Sequence, residues 1–321
     1  MKKQISLLLL LFVAKIQTNY VDSLWYDMQE KYKNLCNFLH TTGLDQHESN
    51  YCHDIWKSTK QEVKTILLGN PDRFFTRHYC IWNTMVRQGI SVVQSYEMLY
   101  LRDCISAKTK EKLSAFHESD FLGLDRCCKE FNCSSNCLGH LYYAAKVLEY
   151  WPNESINSIV EVGSGYGNLA SVFKQIMPET TLYLIDLPEL LALQYFFLKA
   201  TMPDVEVILH DRIPESFEKG AIHLIPVFMV PEISLSADLF ISTFALSESS
   251  CNTQQMIVDK KFFQAPLCYI SGQLHGWGDN FKFVGHTLVM DAIRSQYPLV
   301  YCQPHHVSLH VMPSYEIVAH R

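Results

Sequence analysis

Residues 160–168 read VEVGSGYGN, and this segment is the strongest indication of the fold in the sequence. It follows a short β-branched apolar run and precedes a helix-like segment, NLASVFKQIM. Three glycines stand at alternate positions in it, Gly163, Gly165 and Gly167. Glycine lets the backbone turn sharply and approach a ligand without obstruction from a side chain. The stretch therefore predicts a strand, a ligand-binding turn and a helix in direct succession.

Strand and helix patterns alternate after residue 156. TLYLIDL, VEVILH, ADLFISTFAL and LCYISG read as strands, with helical segments such as PELLALQYFFLKA between them, which predicts βαβ units and a parallel sheet. The chain closes with two extended runs, PLVYCQPHH and PSYEIVAH, separated by a few residues, which predicts an antiparallel hairpin. We therefore expect a Rossmann-like class I methyltransferase sheet over residues 131–321, mostly parallel with an antiparallel carboxy-terminal hairpin. A dinucleotide-binding domain would continue in βα units to its end.

The first part of the chain predicts helices instead. Apolar residues recur at three- and four-residue spacing in LWYDMQEKYKNLCNFLH, and we expect a helical region over residues 20–130. Residues 1–19 predict a hydrophobic leader or a first helix: two lysines precede a ten-residue apolar run, as in a secretory signal. The run is too short to span a bilayer, which takes about 20 apolar residues, but membrane association through it stays open.

Two acidic residues give the glycine loop its chemical direction. Glu161 lies two residues before the first glycine, where a carboxylate suits the amino group of S-adenosylmethionine (SAM). Asp186 ends the next strand, about 20 residues on, the position from which a carboxylate binds ribose hydroxyls. An acid beside the loop would repel a pyrophosphate, so the pattern favours SAM over NAD. The expected cofactor contacts are Glu161, Gly163, Gly165, Gly167, Asp186, Leu187, Asp211 (near the adenine) and Thr243.

Composition and cysteine spacing argue against a nucleic-acid substrate and against a metal site. The net charge of −6 and the lack of Lys/Arg clusters disfavour a nucleic-acid substrate. Four of the eleven cysteines are crowded into DRCCKEFNCSSNC, without the longer loop that separates the two ligand pairs of a zinc site. We therefore expect buried free thiols there and no metal.

Three segments carry a resemblance to a known family. VEVGSGYGNLASVFKQIMP, YLIDLPELLALQYFFLKATMPD and DLFISTFALSESS resemble a bacterial family of sugar O-methyltransferases over roughly residues 115–320. The resemblance implies methyl transfer from SAM to a sugar hydroxyl. The chain departs from the family pattern around Ser247 and Glu248 and in GQLHGWGDN, the loops in which the acceptor chemistry is expected.

Two residues are candidates for the base that removes the hydroxyl proton. Glu248 follows the fourth expected strand, and its alternative role is a carboxylate at the start of the next helix. His275 follows the fifth expected strand, and its alternative is an exposed loop histidine. His305 and His306 follow the penultimate strand, and we interpret them as a chance pair among 14 histidines.

The sequence thus predicts a SAM-dependent O-methyltransferase acting on a carbohydrate or another small polyhydroxyl acceptor. Because SAM is a cytosolic cosubstrate, we expect a cytoplasmic protein. Two alternatives remain: a non-catalytic SAM-fold protein that acts through its helical region, and an NAD(P)-dependent oxidoreductase.

Overall fold

A computed structural model describes residues 2–47, 54–69, 92–120, 126, 128–273, 287–305 and 314–321. Helices come first along the chain, and alternating strands and helices follow. The helices of the first part are α1 (Lys2–Thr42), α2 (Asp54–Leu67), α3 (Val92–Leu99), α4 (Ala107–Leu113) and α5 (Ser135–Tyr150). A π-helical turn, Tyr100–Cys104, extends α3, and a 3₁₀ turn, Leu44–His47, follows α1.

The second part contains eight strands: β1 (Ser158–Val162), β2 (Thr181–Asp186), β3 (Val207–Leu209), β4 (Ile222–Pro226), β5 (Leu239–Thr243), β6 (Leu267–Gln273), β7 (Leu299–Pro304) and β8 (Ser314–His320). Its helices are α6 (Asn168–Ile176), α7 (Pro188–Thr201), α8 (Ala245–Glu248), α9 (Cys251–Asp259) and α10 (Thr287–Gln296), with 3₁₀ turns at Val227–Glu232 and Lys261–Gln264.

All eight strands form one sheet in the order β3-β4-β2-β1-β5-β6-β8-β7. Neighbouring strands from β3 to β6 are parallel, whereas β8 runs antiparallel to both β6 and β7 and lies between them. The predicted carboxy-terminal hairpin is therefore confirmed, and so is the expected Rossmann-like class I methyltransferase sheet. Every residue of β2 is buried, as expected for a central strand that is covered on both faces.

One strand was missed in the sequence. β4 pairs in parallel with β2, with Leu182 opposite Ile222, and it also pairs with β3. No helix lies between β3 and β4 to mark them as separate strands, because residues 210–221 connect them without regular structure. The strand beside β2 is consequently β4, and β3 lies at the outer edge of the sheet.

The helical region packs directly on the sheet domain. Trp25 of α1 is fully buried and meets Phe196 of α7 edge to face, with ring centroids 4.9 Å apart. The hydroxyl of Tyr32 donates to Glu189 Oε1 at 2.9 Å, and Lys60 Nζ of α2 lies 3.6 Å from the same oxygen. Residues 2–19 form the first part of α1. No helix among the described residues has the length and apolar character needed to cross a membrane.

A buried ion pair ties α5 to the inserted hairpin. Lys146 Nζ lies 3.4 Å from Glu316 Oε2, and both side chains are almost fully buried. Glu316 also accepts hydrogen bonds from Tyr269 (2.8 Å) and Gln303 (2.6 Å). The same ammonium group faces three tyrosine rings, of which Tyr100 is the nearest at 4.7 Å. Because both charges have hydrogen-bonding or aromatic partners, the pair can be buried without an orphaned charge.

We expect Trp25→Ala to lower the free energy of unfolding by about 3–5 kcal/mol, because it removes a large buried ring from the contact with α7. The neighbouring Tyr26 is 63% exposed, so Tyr26→Ala is the matched control and should change the value by no more than about 0.5 kcal/mol. Urea unfolding followed by circular dichroism measures both. Equal effects of the two substitutions would contradict the packing of α1 on the sheet domain.

Candidate functional site

The glycine loop between β1 and α6 turns through the left-handed region that disfavours side chains. Gly163, Gly165 and Gly167 have φ angles of +79°, +58° and +94°. A Cβ atom on Gly163 would lie only 1.9 Å from Cβ of Ala245, so this position requires glycine for space as well as for conformation. A Cβ atom on Gly165 would meet no atom within 4 Å, so the loop opens there onto space that a ligand can fill.

The segment after β5 is fixed against the glycine loop. The Ser242 hydroxyl donates to the carbonyl oxygen of Val162 at 3.0 Å and accepts from the backbone N–H of Leu246 at 3.1 Å. Phe244 follows with a φ of +67°, which is rare for a residue with a side chain. This serine therefore joins the ends of β1 and β5 and brings α8 next to the glycine loop.

Five predicted or adjacent polar residues share one face of the sheet at its carboxyl edge. The register pairs Glu161 with Leu184 and Ile241, and Thr243 with Ser271. Because side chains alternate along a strand, Glu161, Asp186, Thr243, Ser271 and Gln273 lie on the same face. Ligands of open α/β sheets bind at this carboxyl edge.

Two of these residues form a buried acidic pair. Glu161 is 2% exposed and Asp186 is 8% exposed. Asp186 Oδ1 accepts from the N–H of Leu187 at 2.8 Å, and Oδ2 accepts from Gln194 Nε2 at 3.1 Å. The same Gln194 nitrogen donates to the carbonyl oxygen of Gly165 at 2.9 Å, which links the acid to the glycine loop. The carboxylate of Glu161, by contrast, has no hydrogen bond among the described residues.

The electrostatics of this pair favour a cation. Burial and the neighbouring Asp186 raise the pKa of Glu161 to about 8. Burial raises the pKa of Asp186 to about 7, although its hydrogen bonds oppose the shift. No lysine or arginine in the described part of the chain is paired with either carboxylate. A positively charged ligand would restore the ionised form of both groups.

The other predicted catalytic region lies at the ends of β5 and β6. Glu248 is the last residue of α8, and its Oε1 accepts from Gln273 Nε2 at 3.2 Å. Burial raises the pKa of Glu248 to about 7, opposed by a hydrogen bond from the side chain of Trp56 in α2. Ser250, not Glu248, caps the next helix by accepting from the N–H of Thr253. The alternative role of Glu248 at that helix start is therefore not supported.

Several buried polar atoms near the site have no hydrogen-bond partner within the described ranges. They are Ser164 Oγ and Gln194 Oε1 beside the glycine loop, and Ser271 Oγ and Gln273 Oε1 at the end of β6. Buried polar atoms are normally satisfied, because an unmet hydrogen bond costs about 1–3 kcal/mol. A ligand at the carboxyl edge can provide the missing partners.

Not all predicted residues come together. Thr243 and Leu187 lie at the ends of β5 and β2, next to the acidic pair and the glycine loop. Asp211 follows the edge strand β3, is separated from β2 by β4, and pairs with Arg212 at 3.1 Å. His275 and His306 lie outside the described residues. Among the predicted cysteine cluster, Cys128, Cys133 and Cys137 are buried free thiols, and Cys127 is not described.

Some site residues were not foreseen from the sequence. Trp56 and Gln273 are joined to Glu248 only through contacts between distant parts of the chain, so their spacing along the sequence carries no signal. The sequence gives no role to His305, but it is fully buried, stacks on Tyr143 and meets Phe244 edge to face. For Gln194 the LALQ segment of the family resemblance is the available sign, and its side chain donates to Gly165 of the glycine loop.

No family model matches the chain, and no curated protein matches its sequence. Solved structures do align with it. A magnesium protoporphyrin IX methyltransferase from Synechocystis PCC 6803 is 10% identical and covers 81% of this chain and 97% of its own, with a TM-score of 0.42. An O-methyltransferase family protein from Burkholderia thailandensis is 8% identical and covers 71% of each chain, with a TM-score of 0.38.

A third aligned structure is the mitomycin 7-O-methyltransferase, which is 10% identical and covers 71% of this chain and 72% of its own, with a TM-score of 0.36. All three alignments have TM-scores below 0.5. The fold assignment therefore rests on the strand order and the inserted hairpin of this chain. Within the residues described, no group of three or more His, Cys, Asp or Glu side chains is arranged to hold a metal ion.

We expect Gly163→Ala to destabilise the protein by about 2 kcal/mol more than Gly220→Ala. Both glycines have nearly the same positive φ, +79° and +76°, so both substitutions carry the same conformational cost. Only Gly163 has a side chain in the way, since the nearest atom to a Cβ on Gly220 is 3.8 Å distant. Thermal unfolding of the two variants measures the difference. Equal melting temperatures would show that Ala245 does not restrict the space for a side chain at position 163.

Proposed function

We propose that this protein is a SAM-dependent O-methyltransferase. The buried pair of Glu161 and Asp186, beside a glycine loop with open space at Gly165, is the observation that supports the proposal most strongly. SAM carries positive charge on its amino group and its sulfur, so it compensates buried carboxylates. The pyrophosphate of NAD(P) would add negative charge at the same place, and the inserted hairpin also disfavours an oxidoreductase.

The residues present fit SAM. Glu161 would bind the amino group of SAM, and Asp186 would bind its ribose hydroxyls. The turn over Gly163, Gly165 and Gly167 would leave space for the rest of the cofactor. Leu187 and Thr243 would complete the walls. When bound, SAM supplies a methyl group activated by its positive sulfur. Because β4 lies beside β2, we replace Asp211 as the proposed adenine contact with two residues at the end of β4, Pro226 and Val227.

Glu248 is the proposed general base. A base works best when its pKa lies near the working pH, and burial brings that of Glu248 to about 7. Hydrogen bonds from Gln273 and Trp56 would orient the carboxylate towards an acceptor hydroxyl. Alignment of donor and acceptor is the main requirement of an in-line displacement. His275 stays the second candidate.

The acceptor that we propose is a small polyhydroxyl molecule, for which the resemblance of the glycine loop and the α7 segment to sugar O-methyltransferases is the support. The net charge of −6 disfavours nucleic acid as the acceptor. A cytoplasmic location is proposed because the cosubstrate is made and used there.

Glu161→Gln should weaken SAM binding about 10- to 100-fold, because it removes the charge that meets the amino group. Isothermal titration calorimetry at pH 8 measures the dissociation constant. The matched control is Glu154→Gln, which changes an exposed glutamate just before β1 and should leave binding within twofold. Equal affinity of the Glu161 variant and the wild type would contradict the proposed contact.

The same substitution should stabilise the ligand-free protein at pH 8. The pKa of Glu161 is raised in the folded state, so the folded state binds more protons, and stability falls as the pH rises from about 4.5 towards 8. Glutamine removes that loss. Thermal unfolding should therefore show a higher melting temperature than the wild type at pH 8 and little difference at pH 4.5. A lower melting temperature at pH 8 would contradict the unfavourable burial of this carboxylate.

Glu248→Gln should reduce methyl transfer about 10²- to 10⁴-fold and leave SAM affinity within twofold. Labelled SAM, incubated with a small-molecule extract and followed by mass spectrometry, measures transfer. Wild-type activity should rise with pH through about 7 as Glu248 loses its proton, and the variant should lack this rise. Full activity of the variant would exclude Glu248 as the base. SAM binding with no methylated product would instead favour a non-catalytic SAM-binding protein.

A further inference from the structure

Gln273 connects the proposed base to an unsatisfied hydrogen-bonding atom. Its Nε2 donates to Glu248 Oε1 at 3.2 Å, while its Oε1 is buried without a partner among the described residues. The orientation of the amide follows from charge. A reversed amide would place its oxygen against the carboxylate, and two electron-rich oxygens repel each other. The free oxygen therefore accepts, and it requires an O–H or N–H donor.

Ser271 provides a second group of the same kind. It lies two residues before Gln273 on the same face of β6, and its side chain is fully buried. Its Oγ likewise has no partner in the described part of the chain. A hydroxyl can donate and accept, whereas the amide oxygen only accepts. There is thus one acceptor next to the proposed base and one donor–acceptor two residues earlier on the same face of β6, and both are buried.

The helical region closes this position from another side. Trp56 of α2 donates a side-chain hydrogen bond to Glu248, and its ring is only partly buried. An indole donates through its N–H alone, so the rest of the ring presents an apolar face. Trp56 and Gln273 at Glu248, with Ser271 two residues earlier on β6, therefore combine an apolar surface with two groups that can bind hydroxyls.

We propose that Gln273 and Ser271 form a subsite for a second hydroxyl, and that the acceptor carries two hydroxyls on neighbouring carbon atoms of a ring. The proposal rests on the proposed function and specifies its substrate class. Glu248 and the free oxygen of Gln273 are separated by one amide group, which suits two adjacent hydroxyls.

The proton balance of transfer follows from this arrangement. The reacting hydroxyl gives its proton to Glu248, its oxygen forms the new bond to the methyl carbon, and the carbon–sulfur bond breaks with its electron pair left on sulfur. The second hydroxyl stays protonated, and its O–H donates a hydrogen bond to Gln273 Oε1. Ser271 Oγ binds the oxygen of that same hydroxyl.

The experiment compares matched probes that differ by one hydroxyl. Saturation-transfer NMR is recorded on the full chain with saturating S-adenosylhomocysteine, using cis-1,2-cyclohexanediol against cyclohexanol and catechol against phenol. We expect each diol to bind at least tenfold more tightly than its partner. Gln273→Met keeps the side-chain length but removes the amide. It should lower the affinity for the diol to that for the mono-alcohol.

The control is Gln255→Met, the same substitution at an exposed position on α9, which should preserve the discrimination. Equal binding of both members of each pair, or no binding of either, would overturn the diol subsite. Calorimetry of S-adenosylhomocysteine in the same samples tests cofactor binding separately from the diol subsite. Absence of cofactor binding by the folded chain would contradict the proposed function itself.

Discussion

Two carboxylates, Glu161 and Asp186, lie buried beside each other at the carboxyl edge of the central strands, and most of the site depends on this arrangement. Burying like charges together is unfavourable, and both groups respond with a raised pKa. The surrounding structure holds them nevertheless: Gln194 fixes Asp186 to the glycine loop, and Ser242 fixes the end of β5 to the end of β1. The unfavourable burial of two carboxylates at the carboxyl edge of the sheet is consistent with a site that binds a cation.

The rest of the molecule positions a second group against that pair. The hairpin that inserts β8 between β6 and β7 is secured to α5 by the buried Lys146–Glu316 pair. This fixes the end of β6, and with it Gln273, next to Glu248. From the opposite end of the sequence, α2 brings Trp56 to the same carboxylate. The helical region therefore contributes a contact to the proposed base as well as a support for α7.

The fold was largely predictable because it follows from patterns among residues that are close together in the sequence. Alternating strands and helices, the glycine loop and the closing pair of extended runs each depend on neighbouring residues. β4 was missed because its five residues, Ile222–Pro226, lack a preceding helix that would separate them from β3. That omission misplaced Asp211, since the position beside β2 belongs to β4.

The site was predictable only where it follows the backbone. Glu161, the three glycines and Asp186 are set by their distance from a strand end, and the structure brings them together. Gln273 and Trp56 reach Glu248 across 25 and many more positions, so only tertiary packing could reveal them. The same holds for His305, whose burial among aromatic rings has no mark in the sequence.

The most direct test of the acidic pair as a cation site is the proton release that accompanies SAM binding. Calorimetric titrations at pH 6.5, in buffers of different ionisation enthalpy, measure it below the range in which α-amino groups titrate. Because both carboxylates then largely carry protons in the ligand-free protein, binding should release between one and about two protons, and Glu161→Gln should lower that number by about one. SAM binding without proton release would contradict the account.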